Sequence, residues 1–361
     1  MATVKTHQDR LVPHQELTAF SRGVFDRIQC SSEIAESVVY GLVETSLDGV
    51  DTHGIRLLPA YAKAGLEGRA NLNPKIKIED TASATTVLDG DKTYGMYSTR
   101  VGMSHALELA GQHGIAAVAI RNSFHFGAAG LYVLPAAHAG FLGFCFTNSS
   151  ASVVPTGGKT PMLGTNPIAF GAPCEGEEPF RLDMATSQTT WNNVLLHRAT
   201  GLPLEPGWAV DTDGKPTTDP HLARTLVSAG GYKGYGLGLM VDILSGLLTG
   251  MDFGPHVAGL YPKGKQEHLG LGHFLIAINI SSFVPLTVFA PRMKEMLDGL
   301  RSTQPVNEAM PVLVPNDPQK ATRAERLRDG VPIPMAVVDD LRTLAKDVSI
   351  EPSHYPLLLG M

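Results

Sequence analysis

Residues 115–130 read IAAVAIRNSFHFGAAG, and this stretch decides the fold. The first six residues are a short apolar run bounded by Gly114 and Arg121, the pattern of a fully buried strand. The run passes directly into Asn122-Ser123-Phe124-His125-Phe126-Gly127, a polar turn with glycine at its end. Turns at strand ends are where function concentrates. Neither this turn nor any other part of the chain carries G-x-G-x-x-G, so the usual dinucleotide fingerprint is missing. His125 lies between two phenylalanines. Partial desolvation there would keep its ring neutral and fit to accept a proton, and a core histidine bonded to backbone is the other reading.

Working outward, residues 141–147, 167–170 and 274–280 read as further buried strands, and 75–78 and 85–88 as strands before the Asp89-Gly90 turn. Helical spacing covers 16–29, then a segment capped by Ser31 or Ser32, then 55–66. Ser98 caps a helix that runs to about 112 and stops at Gly114. Helices are also expected over 191–197, 235–249, 287–300 and 336–348. Residues 199–220 and 305–318 are proline-rich connections, and 304–334 shows only loop character. Helices dominate both ends and strands the middle. That order predicts an α+β or mixed fold in which the two helical ends form one discontinuous domain.

The 361 residues suggest about two domains. Hydrophobic residues make up 43% and charged residues 18%, which excludes wholesale disorder. The net charge of −6 argues against a nucleic-acid partner. Cys30, Cys145 and Cys174 are far apart and in no metal spacing, so neither a disulfide framework nor a metal site is expected and a reducing compartment is. The polar stretch 1–16 lacks an apolar signal core. Residues 234–250 are the most membrane-like, but they are short for a span and carry Asp242, so a buried helix is expected.

Absent motifs narrow the chemistry. Gly158-Lys159-Thr160 resembles the end of a phosphate loop, but the required earlier glycine is Val153. H-E-x-x-H and G-x-S-x-G do not occur.

Four other clusters could carry function. Asp51-Thr52-His53-Gly54-Ile55-Arg56 combines an imidazole that can polarise a carbonyl with a guanidinium that can clamp a carboxylate; helix capping by Asp51 or Thr52 with a surface His and Arg is the other reading. Thr147-Asn148-Ser149-Ser150, Gly157-Gly158 and Leu163-Gly164-Thr165-Asn166-Pro167 could cradle phosphate with backbone amides, or be ordinary turns. In Leu182-Asp183-Met184-Ala185-Thr186-Ser187, Asp183 could accept from ribose hydroxyls, or the segment could begin a helix. Gly230-Gly231-Tyr232-Lys233-Gly234 is an anion-site pattern at a helix start, or a hinge with a solvated lysine.

Together these motifs resemble the malate/L-lactate dehydrogenase family of the L-sulfolactate-dehydrogenase-like type. That family includes ureidoglycolate dehydrogenase, diketogulonate reductase and the piperideine/pyrroline-2-carboxylate reductases. THGIRLLPAY, RNSFHFGAAG, NSSASVVPTGG, LGTNPIAFGAP, LDMATS, DGKPTTDP and GGYKGYGL occur in the family's order, and the resemblance spans about 14–346. It implies a non-Rossmann NAD(P)-binding fold with a largely antiparallel mixed sheet. It also implies a helical domain from 1–70 plus 285–361 that dimerises, and a catalytic α+β domain over 71–284 with room for a small insertion around 150–225.

By the resemblance, His125 is the general acid/base and His53 sits beside substrate and nicotinamide. Arg56, Thr165, Asn166 and Trp191 fall at the substrate. Gly127, Ser149, Asp183, Met184, Ala185, Thr186, Ser187, Lys233, Pro315, Asn316 and Asp317 fall at the cofactor. Thr52 stands where many relatives have serine, and Trp191 lies in a stretch where relatives carry small residues. Pro-Asn-Asp replaces a more usual Pro-Gly-Glu at 315–317, which leaves NAD and NADP both open. The expectation is therefore a cytoplasmic homodimeric oxidoreductase moving hydride between NAD or NADP and a small 2-hydroxy or 2-oxo acid. The alternatives are a cyclic imine reductase and a catalytically silent nucleotide sensor.

Overall fold

The computed structural model describes residues 9–261 and 268–360. Residues 1–8 of the polar N-terminal stretch thus lie outside the described residues. A short strand β1 (Arg10–Val12) precedes helices α1 (His14–Arg27), α2 (Ser32–Leu47) and α3 (Leu58–Leu66). Strands β2 (Lys77–Ala82) and β3 (Thr85–Asp89), helix α4 (Gly95–His113) and strand β4 (Ile115–Ser123) follow. After α5 (Leu134–His138) come β5 (Phe141–Thr147), β6 (Ile168–Ala172) and β7 (Phe180–Met184). Helix α6 (Trp191–Thr200), strands β8 (Ala209–Val210), β9 (Pro216–Thr217) and β10 (Thr225–Leu226), and helix α7 (Tyr232–Asp242) lead to β11 (Leu271–Asn279). The last elements are α8 (Leu286–Arg301), α9 (Asp317–Asp329), β12 (Val331–Ile333), α10 (Met335–Asp347) and α11 (Pro356–Leu359).

The main sheet has seven strands in the order β2-β3-β4-β11-β5-β6-β7. Only β3 and β4 run parallel; the other neighbours are antiparallel. This is a mixed α/β architecture with a mixed sheet. Strand β11 lies between β4 and β5 and is covered on both faces. Leu275 and Ala277 join the core beneath α4, while Phe274 packs with Phe146 and Val241 on the opposite face. Two covered faces explain why these strands read as unbroken apolar runs rather than alternating ones. The edge strand β2 is exposed at every residue and carries Lys77, Glu79 and Asp80, charges that discourage edge-to-edge pairing.

Both chain ends share one core. Strand β1 pairs antiparallel with β12, and Phe20, Leu42, Val338 and Leu344 belong to the same buried cluster as Val118 and Leu275. A separate small core forms around Val153, Val194, Trp208 and Leu226, beside the three-stranded sheet β10-β8-β9.

Several expected elements shift. The helix expected over 55–66 begins only at Leu58, after two 3-10 turns at Asp51–His53 and Ile55–Leu57. Gly54 separates them because it sits against Ser46, where a Cβ would fall 2.2 Å from the Ser46 Oγ. Helix α4 starts at Gly95, so Ser98 is not its cap; its hydroxyl instead bonds Ser123 Oγ at 2.8 Å. Asp183 lies in strand β7, not at a helix start. The helix expected over 235–249 starts at Tyr232 and widens to a π-helical turn at Ile243–Leu247. Residues 317–329, expected as loop, form α9. That helix has almost no apolar residues, so its period is invisible. It is held by charge: Arg323 pairs with Glu44 at 2.6 Å and Asp48 at 3.3 Å.

Gly95 brings the start of α4 against the His125 loop. A Cβ there would lie 2.2 Å from the Phe124 carbonyl and 2.7 Å from the Phe126 Cβ. Gly95→Ala is therefore expected to destabilise by about 2 kcal/mol, the usual range for forced overpacking. Urea unfolding checks this, and an unchanged midpoint would show that the loop yields freely.

Candidate active site

The turn after β4 is pinned from both sides. Phe124 and Phe126 are buried at 0% and 2% exposure, so the intervening His125 is carried the other way. Asn122 and Gly127 take positive φ, +49° and +76°, conformations that Asn tolerates and Gly adopts freely. His125 Nδ1 lies 2.6 Å from the hydroxyl of Tyr61 on α3. Its ring stacks on His53, with centroids 5.8 Å apart and planes 16° from parallel. Thr52 Oγ1 meets His53 Nδ1 at 2.8 Å.

Both rings are neutral at pH 7. Burial pushes His125 down to about 3, reinforced by the neighbouring His53 and His273. Burial pushes His53 down to about 4, reinforced by Arg56. Asp51 is taken up in structure: its carboxylate receives the Arg326 guanidinium at 2.5 and 2.9 Å.

Behind the loop lies His273 of β11, which the sequence did not single out because it sits inside an apolar run. It is 0% exposed, stacks on Phe126 at 4.6 Å, and contacts Thr147 Oγ1 and Ser123 Oγ at 2.8 Å each. Burial pushes it down to about 3. Its folded pKa lies below the unfolded value near 6.5, so the unfolded chain takes up the proton first. Its contribution is complete above about pH 6.5 and is lost as pH falls toward 3. The urea midpoint is expected to drop between pH 7 and 5, and His273→Gln to flatten that slope. Equal slopes in both proteins would remove His273 from the effect.

A cleft of about 610 Å³ is lined by His53 of the stacked pair, with His125 behind it and outside the lining. Of the expected site residues, His53, Gly127, Thr165, Asp183, Ala185, Pro315 and Asn316 line it together. The lining also includes Asp48, Arg181 and Thr190, which the sequence did not mark. Arg181 bonds Asp48 at 2.7 Å and Asn316 Oδ1 at 3.0 and 2.6 Å, tying β7 to α2 and to the start of α9. Asp183 accepts the Gly130 amide at 2.7 Å. The depth of the cleft raises its pKa while Gly130 and Arg181 lower it; with its side chain exposed to the cleft, it is an anion at pH 7.

The remaining expected residues take other places. Ser149 Oγ accepts the Thr165 amide at 3.1 Å, and Asn166 Nδ2 bonds the Gly238 carbonyl at 2.9 Å, so both brace turns. Thr186 and Ser187 bond nearby carbonyls, Thr165 at 3.1 Å and Thr189 at 2.6 Å. Met184 is exposed at the sheet edge. Trp191 begins α6 beneath the Arg198 guanidinium, 5.4 Å from the ring centre. Arg56 and Lys233 are exposed, and Lys233 lies in the first turn of α7 rather than in the cleft lining. Asp317 pairs with Arg301 at 2.8 Å. Tyr61, missed because its position reads as helix stripe, stands eight residues after His53.

A family model described as "Malate/L-lactate dehydrogenase" matches residues 12–342. A malate dehydrogenase of Pyrococcus abyssi is 37% identical over 94% of this chain and 95% of its own. A ureidoglycolate dehydrogenase (NAD(+)) of Escherichia coli is 36% identical over 86% and 87%. Among solved structures, the sulfolactate dehydrogenase of Methanocaldococcus jannaschii superposes with a TM-score of 0.90, at 31% identity over 96% of this chain and 99% of that one. The Δ1-piperideine-2-carboxylate reductase of Pseudomonas syringae gives 0.83, at 30% identity over 93% and 100%.

Proposed function

The chain belongs to the malate/L-lactate dehydrogenase family, and from that premise we propose that it moves hydride between NAD or NADP and a small 2-hydroxy or 2-oxo acid. Known relatives carry NAD(+) or NADP(+) in their names. The observation that carries the reading is His125 stacked on His53, which lines a cleft of about 610 Å³.

The residues present fit a dinucleotide. The cleft has the size of a ligand pocket. Asp183 offers a carboxylate to ribose hydroxyls, and Gly130 lets backbone approach it where a Cβ would lie 2.9 Å from the Asp183 Cβ. Pro315 and Asn316 form the far wall. A main sheet that is antiparallel except at β3–β4 supports a binding site of a non-Rossmann kind. When bound, the nicotinamide supplies or accepts the hydride.

The protein's own groups handle the proton. His125 returns it to the substrate oxygen in reduction and takes it in oxidation. His53 orients that oxygen, and Arg56 holds the carboxylate by paired hydrogen bonds. An arriving carboxylate also offsets the Arg56 charge that depresses His53. Thr165, Asn166 and Trp191 shape the substrate side.

We assign the helical ends 1–70 and 285–361 and the central 71–284 to two functional units, with 150–225 as a small insertion. The homodimer reading is supported by the apolar side of α7 and its π-helical turn, where Leu237, Ile243, Leu247 and Leu248 are exposed. Among the described residues no helix is long and apolar enough to cross a membrane. A cytoplasmic location accords with three free cysteines.

A second reading, reduction of a cyclic imine carboxylate at C=N, is favoured by the piperideine carboxylate reductase neighbour. Consumption of NADH and NADPH against a panel of 2-oxo acids and cyclic imine carboxylates tests both. Turnover with pyruvate- or oxaloacetate-like acids is expected. Turnover confined to imines would transfer the assignment, and tight dinucleotide binding without consumption across the panel would leave the sensor reading.

A further inference from the structure

We infer that Tyr61 is the positioning residue of the proton-transfer histidine: its oxygen holds the hydrogen of His125 Nδ1, leaving Nε2 to exchange a proton with the substrate. The inference rests on the proposed role of His125.

Tyr61 is 0% exposed, and the contacts of its hydroxyl are both to one residue, His125 Nδ1 at 2.6 Å and the His125 carbonyl at 3.4 Å. Two partners on one histidine let the hydroxyl accept from Nδ1–H while its own hydrogen turns to the carbonyl. The Gly127 amide also faces Nδ1, at 3.4 Å, the same length as the Tyr61–carbonyl contact; the Tyr61 oxygen at 2.6 Å is the much nearer partner of that nitrogen. Burial raises the Tyr61 pKa, so the hydroxyl stays neutral and able to accept.

The bookkeeping of protons then needs no rearrangement. In oxidation, the substrate O–H proton passes to a bare Nε2, and the ring becomes an imidazolium with Nδ1–H still on Tyr61. In reduction, Nε2–H returns that proton to the substrate oxygen, which takes up the C=O π electron pair as hydride bonds to carbon, and the ring is neutral again. With the opposite tautomer, Nε2 would already carry hydrogen and could accept nothing. Fixing the tautomer from the far nitrogen is how an orienting partner serves a catalytic histidine. The charged and titratable groups facing the ring are His53, stacked on it, and His273 behind the loop. Neither touches Nδ1 in place of Tyr61.

The test is Tyr61→Phe, which keeps the ring packed against Tyr94 and Phe124 and deletes only the oxygen. With 15N-histidine labelling, His125, assigned by its loss in His125→Gln, is expected as the Nδ1–H tautomer in the parent and the Nε2–H tautomer in the variant. Turnover is expected to fall at least about tenfold with dinucleotide affinity unchanged. The limb of kcat/KM that reports His125 should move to lower pH, because the imidazolium has lost its acceptor. Tyr94→Phe, which removes the bond from the Tyr94 hydroxyl to the Tyr61 carbonyl at 2.7 Å, is the packing control and should leave the tautomer alone. An unchanged tautomer in Tyr61→Phe, or an equal change in Tyr94→Phe, overturns the inference. If the parent proves inactive on every substrate, the dehydrogenase reading fails and the tautomer measurement still decides the role of Tyr61.

Discussion

His125→Gln is expected to lower turnover at least about 100-fold, the usual contribution of a general acid/base, while dinucleotide binding stays close to the parent value. Glutamine keeps a polar group near Tyr61 but has no titrating nitrogen. The anchors of the loop, Phe124 and Phe126, are untouched and fully packed, so the fold should survive. The cleft residues Asp183, Asn316 and Arg181 are also unchanged, which is why binding should persist. Steady-state kinetics with a fluorescence titration of the reduced dinucleotide separates the two quantities. Near-normal turnover would remove His125 from proton transfer, and a parallel loss of binding would make the loop structural instead.

Asp51→Ala should have the largest effect on stability. Arg326 is only 5% exposed and donates to both Asp51 oxygens and to the Ser46 carbonyl. Removing the carboxylate leaves a guanidinium out of water with most of its donors unpaired. Breaking a buried pair from one side typically costs 3–5 kcal/mol, so a loss of about 3 kcal/mol is expected. For a chain of 361 residues that corresponds to a fall in Tm of about 4 °C. The reverse change, Arg326→Met, should cost less, because Asp51 is 28% exposed and water can solvate it. Combining the two should recover part of the loss. Because Asp51 opens the turn that carries His53, turnover should drop as well. A loss under about 1 kcal/mol, the value of a surface pair, would mean that Arg326 finds other partners.

The parts of this molecule that the sequence made legible are those encoded by near neighbours. The apolar run at 115–120 gave a strand because both of its faces are covered. Gly114 stops α4 because the chain there takes φ +85°. The polar turn with His125 stood out against the apolar run before it. The same logic hid α9, whose thirteen residues are held by ion pairs to α2 rather than by an apolar stripe. It hid His273, whose imidazole is satisfied by hydroxyls from two neighbouring strands. It misplaced Ser98, a good cap by type that bonds instead to Ser123.

By itself, then, the sequence determined the strands and helices that carry an apolar pattern, the absence of a glycine fingerprint, and the family, through motifs in fixed order. Only the tertiary structure decided which groups meet. Tyr61 and His125 are 64 positions apart, Asp51 and Arg326 275, and Arg181 and Asn316 135. Periodicity and capping act within a turn or two of backbone, so they write local structure plainly. The partner of a buried nitrogen or guanidinium is chosen by whichever side chain the closed fold carries to within 3 Å of it, and no local pattern contains that choice.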